Sequence, residues 1–247
     1  MALAFHIIQN CYEKIMKKIV VISLGGSLIV PKEGVDTNFL KKFKKAIESM
    51  TRAGYRFILV CGGGRTAREY QAALKNINTT HYSVSELDWI GIYATHLNAH
   101  LVRLIFDKLA HPEIIINPTK RVDFKEKVLI AAGWQPGCST DYDAVLLAKV
   151  YGARRIINLT NINYLHDKNP TIYKDAKKIK EIDWSGFREI VGDKWSPGAN
   201  TPFDPIASHE AQKLGLELVL ANGKKLENLK KIIRGDKSFI GSIVRYS

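Results

Sequence analysis

Apolar residues follow two alternating rhythms along the chain. Short continuous runs rich in Val, Ile and Leu occupy 18–24, 55–61, 128–131, 155–159 and 217–220. Their length and composition are those of buried strands, and glycine closes several of them. Between them lie stretches with apolar residues three or four apart. The clearest is 38–53, where Phe39, Leu40, Phe43, Ala46, Ile47 and Met50 share one face and Gly54 stops the pattern. The same period predicts helices over 66–74, 87–108, 140–150, 204–214 and 226–235. A short strand is predicted at 113–117 before Pro118, and 239–244 is placed as a strand closing the sheet. Residues 160–203 carry no clear rhythm. Strands alternating with helices predict an α/β fold with a mainly parallel sheet covered on both faces.

No internal repeat, low-complexity tract or linker signature divides the chain, so one α/β unit with two halves meeting near residue 150 is expected. Residues 1–16 stand apart. They are weakly apolar, contain His6, Gln9 and Asn10, and lack the positive n-region and small-residue cleavage site of a signal peptide. Met16-Lys17-Lys18 reads as a natural start leading into the first strand. An N-terminal extension or mis-set start over 1–16 is therefore expected, followed by a single domain over 17–247.

Composition narrows the function classes. Hydrophobic residues make up 46% and charged residues 25%, which excludes wholesale disorder. No apolar run approaches the roughly 20 residues of a membrane span. Against 24 acidic residues there are 37 Lys and Arg, a net charge of +13 that favours anionic partners. The lysines fall on helix-like stretches with apolar residues between them and no aromatic interleaving, which reads as solvated helix faces rather than a nucleic-acid surface. Cys11, Cys61 and Cys138 are odd in number and widely spaced, which argues against disulfides and zinc and for a reducing, cytoplasmic compartment.

Candidate chemistry sits where strands end in glycine. Leu24-Gly25-Gly26-Ser27, Cys61-Gly62-Gly63-Gly64 and Ala132-Gly133-Trp134-Gln135-Pro136-Gly137 each follow a strand. Strand carboxyl ends form the ligand crevice of open α/β sheets. Glycine lets backbone N–H groups approach a phosphate, and the following helix N-terminus favours its charge. There is neither a P-loop nor a GxGxxG fingerprint. Arg68, one turn into the helix after Gly64, can pair two phosphate oxygens, with Arg65 the alternative. Asp88, placed at the start of the long helix, either caps it or accepts ribose hydroxyls. Thr140 and Asp141 either cap their helix or hold a phosphate or base. Asp204, between two prolines, either caps a helix or positions a metal or phosphate. The His96/His100 pair lacks the HExxH context of a metal site.

The order of these motifs resembles the amino acid kinase superfamily, and most closely its uridylate (UMP) kinase branch of archaeal type. The matching elements run from Ser23-Leu24-Gly25-Gly26-Ser27 through Gly62-Gly63-Gly64-Arg65-Thr66-Ala67-Arg68, Asp88-Trp89-Ile90-Gly91 with Asn98, Pro136-Gly137 and Ser139-Thr140-Asp141 to Thr160-Asn161, Asn169-Pro170 and Asp204-Pro205, nearly the whole chain. The resemblance implies a three-layer αβα sandwich, an acceptor half over 17–150 and an ATP half over 151–247. It implies transfer of the ATP γ-phosphoryl group to UMP, with Mg²⁺ accompanying ATP. Gly63, Gly64 and Arg68 would hold the UMP phosphate, Asp88 the ribose, and Thr140 would contact the acceptor. Gly25, Gly26 and Ser27 would line the phosphoryl path, and Asp204 would organise the transfer. Thr160, Asn161, Tyr164, His166 and Asn169 would bind ATP. A homohexamer built from dimers is implied, with the 87–108 helix at the dimer contact.

The sequence also departs from that pattern. The superfamily often carries lysine where Ser23 stands, and Lys17 or Lys18 is a candidate substitute. Acids are replaced by Asn163 and Asn169, a glycine by Tyr164, and an adenine-side aromatic by His166. Other acceptors (isopentenyl phosphate, acetylglutamate) and a non-catalytic nucleotide sensor or storage protein are the alternatives.

Overall fold

The computed structural model describes residues 19–77, 82–194 and 201–246. The expectations for 1–16, Lys17 and Lys18 lie outside them. The apolar runs become strands β1 (Ile19–Leu24), β2 (Arg56–Cys61), β3 (Val128–Ala131), β4 (Arg155–Thr160) and β8 (Glu217–Asn222). These five pair in parallel in the order β3-β2-β1-β4-β8. Two more strands complete the seven-stranded sheet: β9 (Ser242–Arg245), antiparallel to β8, and β7 (Glu181–Asp183) at the edge. The closing strand expected at 239–244 is thus shifted by a few residues and lies one position inside the edge.

Side chains alternate across a strand, so each run feeds two cores. Ile22, Leu24, Phe57 and Leu59 face a layer formed by α2 (Thr37–Arg52), α4 (Val84–Phe106) and α8 (Leu226–Arg234), where Phe43, Met50, Val102, Phe106 and Ile232 pack. Val21, Ile58 and Val60 face α5 (Thr140–Tyr151), α6 (Trp184–Val191) and α7 (Pro205–Lys213), which contribute Leu147, Trp184, Phe187 and Ala207. The αβα sandwich expected from the resemblance is the fold observed.

Three elements differ from the sequence reading. The first glycine turn is not a bare loop: Gly26–Ile29 forms a one-turn helix, α1. The strand expected at 113–117 reduces to a single bridge, Ile115 to Ala131. The irregular region holds α6, β7 and a separate hairpin of β5 (Leu165–His166) and β6 (Lys178–Ile179).

Strands β2 and β3 lie on one side of β1, and the chain then returns to place β4 on the other. That reversal opens a crevice beyond the carboxyl ends of β1 and β4, the standard ligand position in such sheets.

Candidate active site

The first two glycine turns meet at this crevice. Gly62 N–H donates to the Leu24 carbonyl at 3.0 Å, and Arg65 N–H to the Val30 carbonyl at 2.9 Å. A Cβ on Gly26 would lie 2.0 Å from the Gly64 nitrogen, which no backbone adjustment short of separating the turns would relieve. Gly64 has φ +65°, and its own Cβ would lie 2.3 Å from the Gly26 oxygen. Packing alone therefore demands glycine at both positions. Ser27 lies in α1 beside this contact.

Gly64 also opens α3 (Gly64–Ile77), which packs against α4. Between α3, α4 and the loop after β3 lies a cavity of about 170 Å³. Gly63, Gly64, Arg68, Asp88, Thr95, Trp134 and Thr140 are among its lining residues. The structure thus brings five of the expected acceptor residues to one cavity, while Gly25 and Gly26 lie behind its glycine wall. Arg68 lines the cavity, whereas the Arg65 guanidinium pairs with Glu69 one turn along the helix at 2.7 Å.

Asp88 does not cap α4. Ser83 does, in a capping box: Ser83 Oγ accepts the Glu86 N–H at 3.2 Å, and the Glu86 carboxylate accepts the Ser83 N–H at 2.6 Å. The S-x-x-E spacing was the signal for that start. Asp88 is instead buried inside the helix, where its Oδ2 accepts the Gly137 N–H at 2.8 Å. Asn98, on the same helix, donates to the carbonyls of Gly62 and Gly63 at 2.8 and 3.1 Å. His96 Nε2 lies 2.8 Å from the Gly133 carbonyl, so the His96/His100 pair is not arranged for a metal.

Asp141 and Asp204 meet beside the cavity. Alternation turns Ser23 toward α5, and its Oγ donates to Asp141 Oδ1 at 2.7 Å. Asp141 Oδ2 accepts the Asp204 N–H at 3.2 Å. Asp204 caps α7: its Oδ1 accepts the N–H groups of Ile206 at 2.6 Å and Ala207 at 3.0 Å. Its Oδ2 accepts the Ser139 N–H at 2.8 Å, tying the acceptor loop to the carboxylate pair. Asp141 keeps some residue surface, yet its carboxyl is enclosed by protein. Burial raises its pKa to about 7; the Ser23 hydrogen bond lowers it, and Asp204 adds to the rise. Burial also raises the Cys138 thiol to about 12, which keeps it protonated and un-nucleophilic. Asp141 is the residue that the geometry places beside Asp204.

All four oxygens of Asp141 and Asp204 already accept a protein donor, and the described residues contain no group of three His, Cys, Asp or Glu able to hold a metal ion. The described residues therefore present no metal cage of their own in this arrangement.

On the other side of the crevice, Thr160 Oγ1 accepts the Ile162 N–H at 3.0 Å, and the Asn161 carbonyl and Asn163 Oδ1 both accept from the Asn222 amide. Lys178 Nζ sits 5.3 Å from the centre of the Tyr164 ring, and His166 pairs with Lys178 in the β5–β6 hairpin. Asn169 Oδ1 accepts the Thr171 N–H at 3.0 Å, closing a local turn. Thr160 and Asn161 stand at the crevice, and the other three lie along the segment leading from it.

The Amino acid kinase family model matches residues 18–222, most of the chain. The chain belongs to the amino acid kinase family. Within the family it is similar to the uridylate kinase of Methanobrevibacter smithii, with 31% identity over 88% of this chain and 96% of that protein. The uridylate kinase of Thermoplasma acidophilum is also 31% identical, over 90% of this chain and 95% of its own length. Among solved structures, the uridylate kinase of Archaeoglobus fulgidus superposes with a TM-score of 0.73 at 27% identity, over 92% of this chain and 99% of that one. A UMP kinase from Bacillus anthracis shares the fold, with a TM-score of 0.74 at 20% identity. The family fold thus accounts for the sheet order that opens the crevice.

Proposed function

We infer that the chain transfers the γ-phosphoryl group of ATP to UMP, giving UDP and ADP. The observation that carries this reading is one cavity that joins Arg68, Asp88 and Thr140 and opens beside the Asp141–Asp204 pair. Uridylate kinases from archaea are the relatives that span the same length. An oxygen of the acceptor phosphate attacks the γ-phosphorus, the bond to the bridging β,γ-oxygen breaks, and ADP leaves. Such transfer depends on placement and charge neutralisation more than on covalent catalysis by the protein.

Arg68 and the amides around Gly63 and Gly64 take the UMP phosphate, and the remaining oxygen of Asp88 takes the ribose. Gly25, Gly26 and Ser27 flank the phosphoryl path from behind the glycine contact. Thr160, Asn161, Tyr164, His166 and Asn169 serve ATP. Mg²⁺ is assigned to the ATP phosphates and its own waters, the usual habit of this ion, rather than to a protein cage. The Ser23 hydroxyl holds Asp141.

The outer face of α4 supports a dimer. Trp89, Tyr93, Leu97 and Leu104 are exposed at about helical spacing, Tyr93 and Leu97 by more than 60% each. Dimers joined through this helix and assembled into a hexamer are the proposed state. No helix among the described residues is long and apolar enough to cross a membrane. The buried Cys61 and the half-buried Cys138 are free thiols, which favours a reducing cytoplasm.

The test is an ADP-release assay with UMP, CMP, AMP, isopentenyl phosphate and acetylglutamate as acceptors. Turnover with UMP at least about tenfold above the others is expected, a margin of about 1.4 kcal/mol in transition-state binding. Asp204→Asn should lower turnover more than UMP binding. Nucleotide binding with no turnover on any acceptor would replace this reading with a nucleotide sensor.

A further inference from the structure

The second glycine turn rests on one face of α4. Gly91, Ala94 and Asn98 share that face at the helical spacing of three and four. A Cβ on Gly63 would lie 3.2 Å from the Gly91 carbonyl oxygen and 3.5 Å from the Ala94 Cβ, so turn and helix touch there. One turn further along, Asn98 is 3% exposed. Its Nδ2 donates to the Gly62 carbonyl at 2.8 Å and to the Gly63 carbonyl at 3.1 Å. Both partners are acceptors only, so the amide nitrogen rather than the amide oxygen must face them.

Holding two carbonyls also aims two amides. No cis peptide bond occurs among the described residues. A planar trans peptide points its N–H opposite to its C=O. With the Gly62 and Gly63 carbonyls turned to Asn98, the N–H groups of Gly63 and Gly64 point away from it. The flanking amides are already taken: Gly62 N–H by the Leu24 carbonyl and Arg65 N–H by the Val30 carbonyl. Among the described residues, no hydrogen bond takes the N–H of Gly63 or of Gly64. Two adjacent donors, held in one direction and without a protein acceptor, are open to an anion.

We propose that Asn98 is a positioning residue for the acceptor phosphate: by fixing the Gly62 and Gly63 carbonyls it presents the Gly63 and Gly64 amides to that phosphate. This rests on the reading of the cavity as the UMP site. Asn98 touches neither nucleotide and acts through the turn. Without it the two peptide units lose their anchor and the amides their common direction. The nucleoside end is served by Asp88, about three turns away on α4, and keeps its contacts. The ATP side, built on β4 and β8, is unaffected.

The test compares wild type, Asn98→Leu and Asn98→Ala by steady-state kinetics, with UMP and ATP varied in turn. Competitive inhibition by uridine, which lacks the phosphate, is measured alongside. Both variants should raise KM for UMP about tenfold or more, change KM for ATP less than about twofold, and leave the inhibition constant of uridine within about twofold. Equal weakening of UMP and uridine would mean a collapsed cavity and would overturn the proposal. So would a wild-type KM for UMP in either variant. If neither variant folds, spectra of the wild type carrying nitrogen-labelled glycine decide. UMP and inorganic phosphate should shift the Gly63 and Gly64 amide resonances, while uridine leaves them in place. Unmoved amides with UMP bound would overturn the proposal and leave UMP turnover standing. A wild-type chain that neither binds nor phosphorylates UMP would end the reading of the cavity itself, and the proposal with it.

Discussion

Replacing Asp141 with asparagine should make the protein more stable and nearly inactive, and the stability gain should depend on pH. Burial lifts the Asp141 pKa from its ordinary 3.8 to about 7. Between those values the folded state holds a proton that the unfolded state has released, so this group's contribution to stability falls as pH rises from about 4 and levels off above about 7. At about 1.4 kcal/mol per unit, roughly 2.5 kcal/mol of that loss falls between pH 5 and pH 8. Asparagine does not titrate. Its carbonyl can accept the Asp204 N–H, and its amide can donate to Ser23 Oγ, which rotates to accept. Melting temperatures of the two proteins should therefore diverge by about 5 °C more at pH 8 than at pH 5. Turnover should fall at least about 100-fold, as the loss of a charge that orders the transfer would require. A gain of equal size at both pH values, or a loss at pH 8, would refute the buried-acid argument. Undiminished turnover would remove Asp141 from the transfer.

Three further outcomes follow from named contacts. Arg68→Ala should raise KM for UMP about 10- to 100-fold with little change in KM for ATP, the cost of a charge-assisted phosphate contact, as checked by varying each substrate. Gly26→Ala should yield little soluble protein or a melting temperature lower by more than about 10 °C, because its Cβ would overlap the Gly64 nitrogen. Leu97→Asp on the exposed face of α4 should dissociate the proposed dimer in sedimentation experiments while leaving the circular dichroism spectrum intact.

The sheet was legible because its central strands are buried on both faces and so appear as unbroken apolar runs. The crevice was legible because those runs end in glycine. What escaped the sequence depends on distant partners. Ser23 and Asp141 are 118 residues apart, and only the sidedness of β1 brings them together. Strand β7 and the β5–β6 hairpin are two or three residues long, too short for any period, and exist because other strands pair with them. Residues 113–117 have strand-forming side chains, but only Ile115 finds a partner. Asp88 was assigned to a helix start that Ser83 and Glu86 had already taken, five residues upstream by the capping residue's position. The enclosure of Asp143 is visible only once α5 lies against the sheet.

The contact between Gly26 and Gly64 constrains ancestry as much as chemistry. Neither position can acquire a side chain while the other turn stays in place, so no single substitution offers drift a way out. A descendant that stopped handling phosphate would still need both glycines to fold. Surveys that take the double-glycine signature as proof of a working kinase would therefore enrol silent cousins.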